Sequence, residues 1–90
     1  MKRFVIERDL PGVGSLGPAE LKAASAKSNA AIAKFPGRLT WEHSYVVGDK
    51  TFCIYLADNE ATVMAHAKES GFPANKVTEV CAVIEPLTAN

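Results

Sequence analysis

The chain has 90 residues, a length that fits one small domain. Its 10 basic and 10 acidic side chains cancel, which argues against a nucleic-acid-binding protein because such proteins usually carry a basic excess. Apolar residues make up 48% of the chain and charged residues 22%, the profile of a globular protein. No apolar run approaches the ~20 residues that a membrane span needs, so we expect no membrane partner.

The N-terminus lacks the pattern of an export signal. Residues 4–6 are its only apolar run before the charges of Glu7 and Arg8, whereas a signal peptide carries roughly 7–15 consecutive apolar residues. We therefore expect a cytoplasmic protein. Its two cysteines, Cys53 and Cys81, are expected to be free thiols, because a reducing compartment disfavours disulfides.

Turn residues divide the chain into four predicted strands and two predicted helices. Segments rich in β-branched and aromatic residues indicate strands, and apolar residues at helical spacing indicate helices. The strands are predicted over Lys2–Arg8, Arg38–Val47, Lys50–Ala57 and Lys76–Glu85, and the helices over Pro18–Phe35 and from Asp58 or Asn59 to Ser70. Residues 1–86 form one predicted domain, and residues 87–90 a flexible tail.

Each predicted helix has one stripe that is expected to pack on the sheet. On the first helix the stripe comprises Leu21, Ala24, Ser28, Ala31, Ile32 and Phe35. On the second helix it comprises Glu60, Val63, Met64 and Ala67, with His66 at its edge.

The element order βαββαβ predicts a ferredoxin-like α+β fold. Short connections and right-handed crossovers give a four-stranded antiparallel sheet, with the first and third strands central and both helices on one face. The other face is then bare and half apolar, which is costly in water. Its predicted members are Val5, Glu7, Cys53, Tyr55, Glu79, Cys81 and Val83. We therefore predict a homodimer that packs two bare faces together around a small polar-lined cavity.

A glycine-rich segment follows the first strand. Gly12, Gly14 and Gly17 match the GxGxxG spelling of dinucleotide-binding loops, and they lie between a predicted strand and a predicted helix. The chain is too short for the several parallel strands of a dinucleotide-binding unit. The sequence therefore disfavours a dinucleotide site.

The central hairpin has two possible registers. A two-residue loop at Gly48-Asp49 pairs His43 with Ile54, and it places Trp41 on the same face as His43. A loop one residue longer would instead move His43 beside Cys53. The register therefore decides whether His43 and Cys53 can share a site.

Several short motifs between Arg3 and Pro86 resemble a known protein family. They are Val5–Gly12, Ser44–Val46, Asp49–Tyr55, His66-Ala67, Gly71–Pro73, Val77–Val80 and Ile84–Pro86. Their order and spacing resemble a bacterial domain-of-unknown-function family of small ferredoxin-like proteins that includes a nickel-responsive, nickel-binding member. The resemblance implies a dimeric α/β sandwich and a metal, and Cys53 and His66 match that member's pattern. Glu7–Asp9 stand where that member carries histidines.

Five side chains are candidates for a site: Cys53 and His66 as metal ligands, and Glu7, His43 and Tyr55 as contacts to a ligand. Each also has a structural interpretation. A buried free cysteine acts as a small hydrophobe, a histidine can bond a carbonyl, a tyrosine can pack its ring, and Glu7 can pair with Arg3 or Lys50. Because linear spacing does not bring these groups together, a metal site would need tertiary structure or a dimer.

The leading functional interpretation is a small non-catalytic binding protein that forms a homodimer and binds a transition metal such as nickel. The alternative is a monooxygenase-like or other small enzyme with an organic substrate on the open sheet face. His66 or His43 would then act as acid or base, and Tyr55 would orient the substrate. A third interpretation is an interaction module without a ligand. Fold analogy alone does not choose among them.

Overall fold

The computed structural model describes residues 1–90 and contains the predicted elements in the predicted order. The strands are β1 (Lys2–Asp9), β2 (Leu39–Val46), β3 (Lys50–Ala57) and β4 (Lys76–Glu79), and the helices are α1 (Pro18–Ile32) and α2 (Glu60–Ser70). The antiparallel sheet has the order β2-β3-β1-β4. The α+β ferredoxin-like fold and the predicted strand order are confirmed. Neither helix has the length and apolar character that crossing a bilayer requires.

Local chemistry explains where the helices begin and end. In α1 the Glu20 carboxylate accepts the Gly17 N–H at 3.2 Å, just before Pro18 opens the helix. In α2 the Asn59 side chain accepts the Thr62 N–H at 2.9 Å, which confirms Asn59 as the N-cap. Gly71 ends α2 with a φ of 77°, a conformation that favours glycine.

Three elements are shorter than predicted: β2 lacks one residue at each end, and α1 and β4 end well before the predicted residue. After α1 ends at Ile32, the N–H of Phe35 bonds the Ile32 carbonyl at 2.9 Å, so the chain tightens into turns three residues before the predicted end. β4 ends at Glu79 and not at Glu85, because its only partner is β1, which begins at Lys2. The last bond between these strands runs from the Val80 N–H to the Arg3 carbonyl, at 2.8 Å.

The pairing of β1 with β3 corrects the predicted composition of the bare face. Phe4 lies opposite Tyr55 and Ile6 opposite Cys53, and all four side chains are buried on the side that the helices cover. The prediction that placed Cys53 and Tyr55 on the bare face is therefore wrong. It is also wrong for Glu79, because this residue pairs with Phe4 and shares its side of the sheet. The reason is that β3 is apolar on both sides, so its alternation does not identify the core side.

The predicted two-residue hairpin is confirmed, with one irregularity in β2. His43 pairs with Ile54 and Tyr45 with Phe52, as the short Gly48-Asp49 loop requires. The register shifts between Trp41 and His43, so Trp41 lies opposite Tyr55. This β-bulge moves Trp41 off the face of His43, where the sequence had placed it, and its ring stacks on Tyr55 with centroids 6.3 Å apart.

The glycine-rich segment packs against the β2–β3 turn. The Gly14 N–H donates to the Gly48 carbonyl at 3.0 Å, and the Gly12 N–H donates to the Asp49 carboxylate at 2.9 Å. A side chain at Gly14 would place its Cβ 2.6 Å from the Val47 carbonyl oxygen. The glycine at this position therefore serves a close approach of two backbone segments.

Replacing Gly14 with Ala should lower the free energy of unfolding by about 1–3 kcal/mol, because the added methyl group meets backbone that cannot rotate away. Urea unfolding measures the loss. The control is Gly17→Ser in the same segment, where a Cβ has open space and serine is a good N-cap. Equal stability of the Gly14→Ala and wild-type proteins would contradict this account.

Candidate functional site

A cavity of about 210 Å³ lies between α1 and the sheet. Its walls are mainly hydrophobic, since 10 of its 15 lining residues are of this kind. The lining residues come from α1, from strands β1, β2 and β3, and from the segments after β1 and after α2. The polar groups that reach it include Arg8, Ser28, Thr51, Cys53 and Tyr55. An apolar enclosure with a few converging polar groups is the usual form of a small-molecule site.

Arg8 is the charged residue of this cavity. It is only 3% exposed, and its Nη1 donates to the carbonyl oxygens of Pro73 at 2.9 Å and Phe72 at 3.4 Å. None of the ion pairs in the chain involves Arg8. Arg8 was not among the predicted site residues, although its place two residues after Ile6 on an alternating strand indicates the covered side.

Tyr55 lies at the centre of the polar groups. It is 1% exposed, and its hydroxyl shares a hydrogen bond of 3.1 Å with the Ser28 hydroxyl. Burial raises the pKa of Tyr55, and this effect outweighs the hydrogen bond to Ser28 and the positive charge of Arg8, both of which lower it. The hydroxyl therefore stays protonated at neutral pH and can donate as well as accept.

His66 is fully buried, and not at the edge of the apolar stripe of α2 as predicted. Its Nε2 lies 3.4 Å from the Ser28 carbonyl oxygen, and its buried Nδ1 has no hydrogen-bond partner. Burial lowers the pKa of His66; the Ser28 carbonyl opposes this shift and the charge of Arg8 adds to it. The predicted stripe of α2 is confirmed at Val63 and Ala67, which are buried, and is wrong at Glu60 and Met64, which are exposed.

The two cysteines have different environments, and both are free. Cys53 is buried on β3 beside the cavity, with its Sγ 3.5 Å from the Thr51 hydroxyl, and Cys81 is exposed. The chain contains no cluster of three or more His, Cys, Asp or Glu side chains with the geometry of a metal site. Cys53 and His66 therefore lie on the same side of the sheet without a third donor beside them.

The other side of the sheet holds the two remaining candidates. Glu7 pairs with Lys50 at 3.7 Å, and His43 Nε2 lies 3.1 Å from the Tyr45 hydroxyl. Glu42 receives two hydrogen bonds from the Arg3 guanidinium, at 2.7 and 3.2 Å. A shallow depression of about 460 Å³ runs over this face, and its lining includes His43, Glu42, Ile54 and Val80.

The sheet therefore separates the five candidate residues into two groups. Glu7 and His43 face the open side, whereas Cys53, Tyr55 and His66 lie on the side that the helices cover. A molecule on the open face could contact the first pair but not the second group. This corrects the enzyme interpretation in one respect, because His66 and Tyr55 do not reach a substrate bound there.

The stability of the protein should fall as the pH is lowered from about 7.5 to 5.5, because an unfolded histidine takes up a proton near pH 6.5 and the enclosed His66 does so only at lower pH. Above this range the contribution of His66 is fully present. Urea unfolding across this pH range should show the slope in the wild type. The control is His43→Gln, which removes the exposed histidine and should keep the slope. The slope should be absent in His66→Gln, and its persistence there would contradict the assignment.

Comparison with known proteins supports the fold and identifies the family. The family described as "Nickel responsive protein SCO4226-like" matches residues 4–80. The crystal structure of SCO4226 from Streptomyces coelicolor A3(2) superposes with a TM-score of 0.75 and 14% sequence identity, covering 91% of this chain and 99% of that chain. This identity supports a shared fold alone, and no curated protein matches the chain significantly. The match over most of the chain shows that it belongs to the SCO4226-like family of nickel responsive proteins.

Proposed function

We propose that the chain is a small non-catalytic binding protein that acts as a homodimer through its open sheet face and takes a transition metal such as nickel as its ligand. The observation that carries this proposal is the open face itself, which no element of the chain covers. Its apolar members are only partly buried; they are Val5, Phe52, Ile54, Leu56 and Val80. A face of this kind on a small domain is typical of a protein interface.

The segment after β4 adds to the argument for a second copy. It continues past the N-terminal end of β1 and exposes three apolar side chains, Val83, Ile84 and Leu87. Ile84 is 82% exposed. Val83 borders the depression on the open face. Packing two such faces together would remove both the strand residues and this segment from water.

Charge favours the open face as the place for a cation. The covered side holds Arg8, whose guanidinium opposes the entry of a positive ion near Cys53 and His66. On the open face the charges are balanced, because Arg3 pairs with Glu42, and the exposed imidazole of His43 follows Glu42 in the chain. Imidazole is a preferred nickel ligand, and two copies would double the number of donors at the interface. We therefore propose His43 as the principal metal ligand, ahead of Cys53 and His66.

The dimer is tested by sedimentation at micromolar concentration, where the wild type should be dimeric. Ile54→Lys places a charge in the middle of the open face and should give a folded monomer, since an unpaired buried charge at an interface is strongly unfavourable. Met64→Lys on the exposed side of α2 is the matched control and should remain dimeric. A monomeric wild type would contradict the dimer.

Nickel binding is tested by calorimetric titration of the wild type and its variants. His43→Gln should weaken nickel affinity by at least about 10- to 100-fold, because it removes a direct ligand. Loss of a group that only hydrogen-bonds to a ligand already has an effect of roughly this size. Cys53→Ser is the matched control and should bind as the wild type does. Loss of binding in Cys53→Ser with retention in His43→Gln would place the metal on the covered side, and no heat with nickel would refute the metal proposal.

A further inference from the structure

We propose that the cavity between α1 and the sheet binds a small organic monocarboxylate, with the Arg8 guanidinium on the carboxylate and the apolar walls around the rest of the molecule. This site lies on the opposite side of the sheet from the proposed metal and dimer interface. The inference therefore stands or falls separately from the proposed function.

The first argument is the charge of Arg8. Arg8 is only 3% exposed as a residue, and proteins usually compensate a charge in such a position with a carboxylate. Both hydrogen bonds that Arg8 donates to backbone carbonyls use Nη1, its guanidinium carbon lies 6.0 Å from the centroid of the Phe72 ring, and no carboxylate pairs with it. The other nitrogens of its planar fork remain for a ligand, and that fork matches the two oxygens of a carboxylate.

The second argument is the set of hydroxyl groups around this cation. The Tyr55 and Ser28 hydroxyls, which share a bond of 3.1 Å, both line the cavity. The hydroxyl of Thr51, on the strand next to Arg8 and directly opposite it, lines the cavity too. Hydroxyl and guanidinium groups are donors to an anion, and no carboxylate of the chain lines the cavity to repel one.

The third argument is size and wall chemistry, which define the rest of the ligand. A cavity of about 150 Å³ already accommodates benzene, and drug-sized ligands need about 300 Å³ or more. At about 210 Å³ this cavity fits one ring or a short aliphatic chain with a single carboxylate. Its side walls include Leu21, Val13, Trp41 and Phe72, which favour an apolar body over a hydrated inorganic anion.

The single tryptophan of the chain provides a direct readout. Trp41 lines the cavity and stacks on Tyr55, so a molecule beside Arg8 should change its fluorescence. Benzoate and hexanoate should each give a saturable change at millimolar concentration. Benzamide has the shape of benzoate without its charge, and it should bind at least about tenfold more weakly, since hydrogen bonds to charged groups are the stronger ones.

Variants locate the binding. Arg8→Met should weaken benzoate binding by about 10- to 100-fold, because it removes the charged donor and retains an apolar side chain. Ala24→Leu keeps Arg8 and fills part of the cavity, and it should also abolish the response. The matched control is Arg38→Met, because Arg38 is exposed, pairs with Asp58 and lies outside the cavity. If Arg8→Met does not fold, Ala24→Leu and the comparison of benzoate with benzamide decide.

Three results would overturn the proposal. They are the absence of any response to benzoate and hexanoate, equal binding of benzamide and benzoate, and full retention of benzoate binding in Ala24→Leu. Inorganic phosphate is titrated in parallel, and a response to phosphate without one to either carboxylate would also overturn it in favour of an oxyanion site. Nickel binding measured on the same Arg8→Met sample should be unchanged.

Discussion

The antiparallel pairing of β1 with β3 is the constraint on which the rest of the structure depends. The two strands pair along their full length, from Lys2 opposite Ala57 to Asp9 opposite Lys50. Because side chains alternate between faces, this single register decides which members of both strands are enclosed under the helices. It places Arg8 on the same side as Tyr55, and it leaves Glu7 and Ile54 on the open side.

The two sides of the sheet consequently differ in charge as well as in cover. The covered side places a guanidinium and five hydroxyl-bearing side chains around an apolar space, with no carboxylate among them. The open side carries both signs, and its acidic groups are already paired, Glu7 with Lys50 and Glu42 with Arg3. An anion would therefore find an unpaired guanidinium on the covered side, whereas a cation would meet no such opposing charge on the balanced open side.

The bulge in β2 determines which residues lie on each side of this edge of the sheet. Without the shift after Trp41, this ring would share the open face with His43, as the simple alternation of the strand predicts. The extra residue turns the indole inward onto Tyr55 and leaves Glu42 and His43 together on the open side. One inserted position thus completes the wall of the cavity and also groups two polar side chains on the opposite face.

The sequence by itself determined the element order, the hairpin loop and the ends of α2, because each depends on residues close in the chain, such as Gly48-Asp49, Asn59 and Gly71. It also indicated the family through motifs spread over the chain. Only the tertiary structure decided the inward position of His66 and the face of β3, since both sets of side chains on this strand include apolar residues. The tertiary structure also decided the site around Arg8, because the burial of this charged side chain depends on elements that are distant from it in the chain.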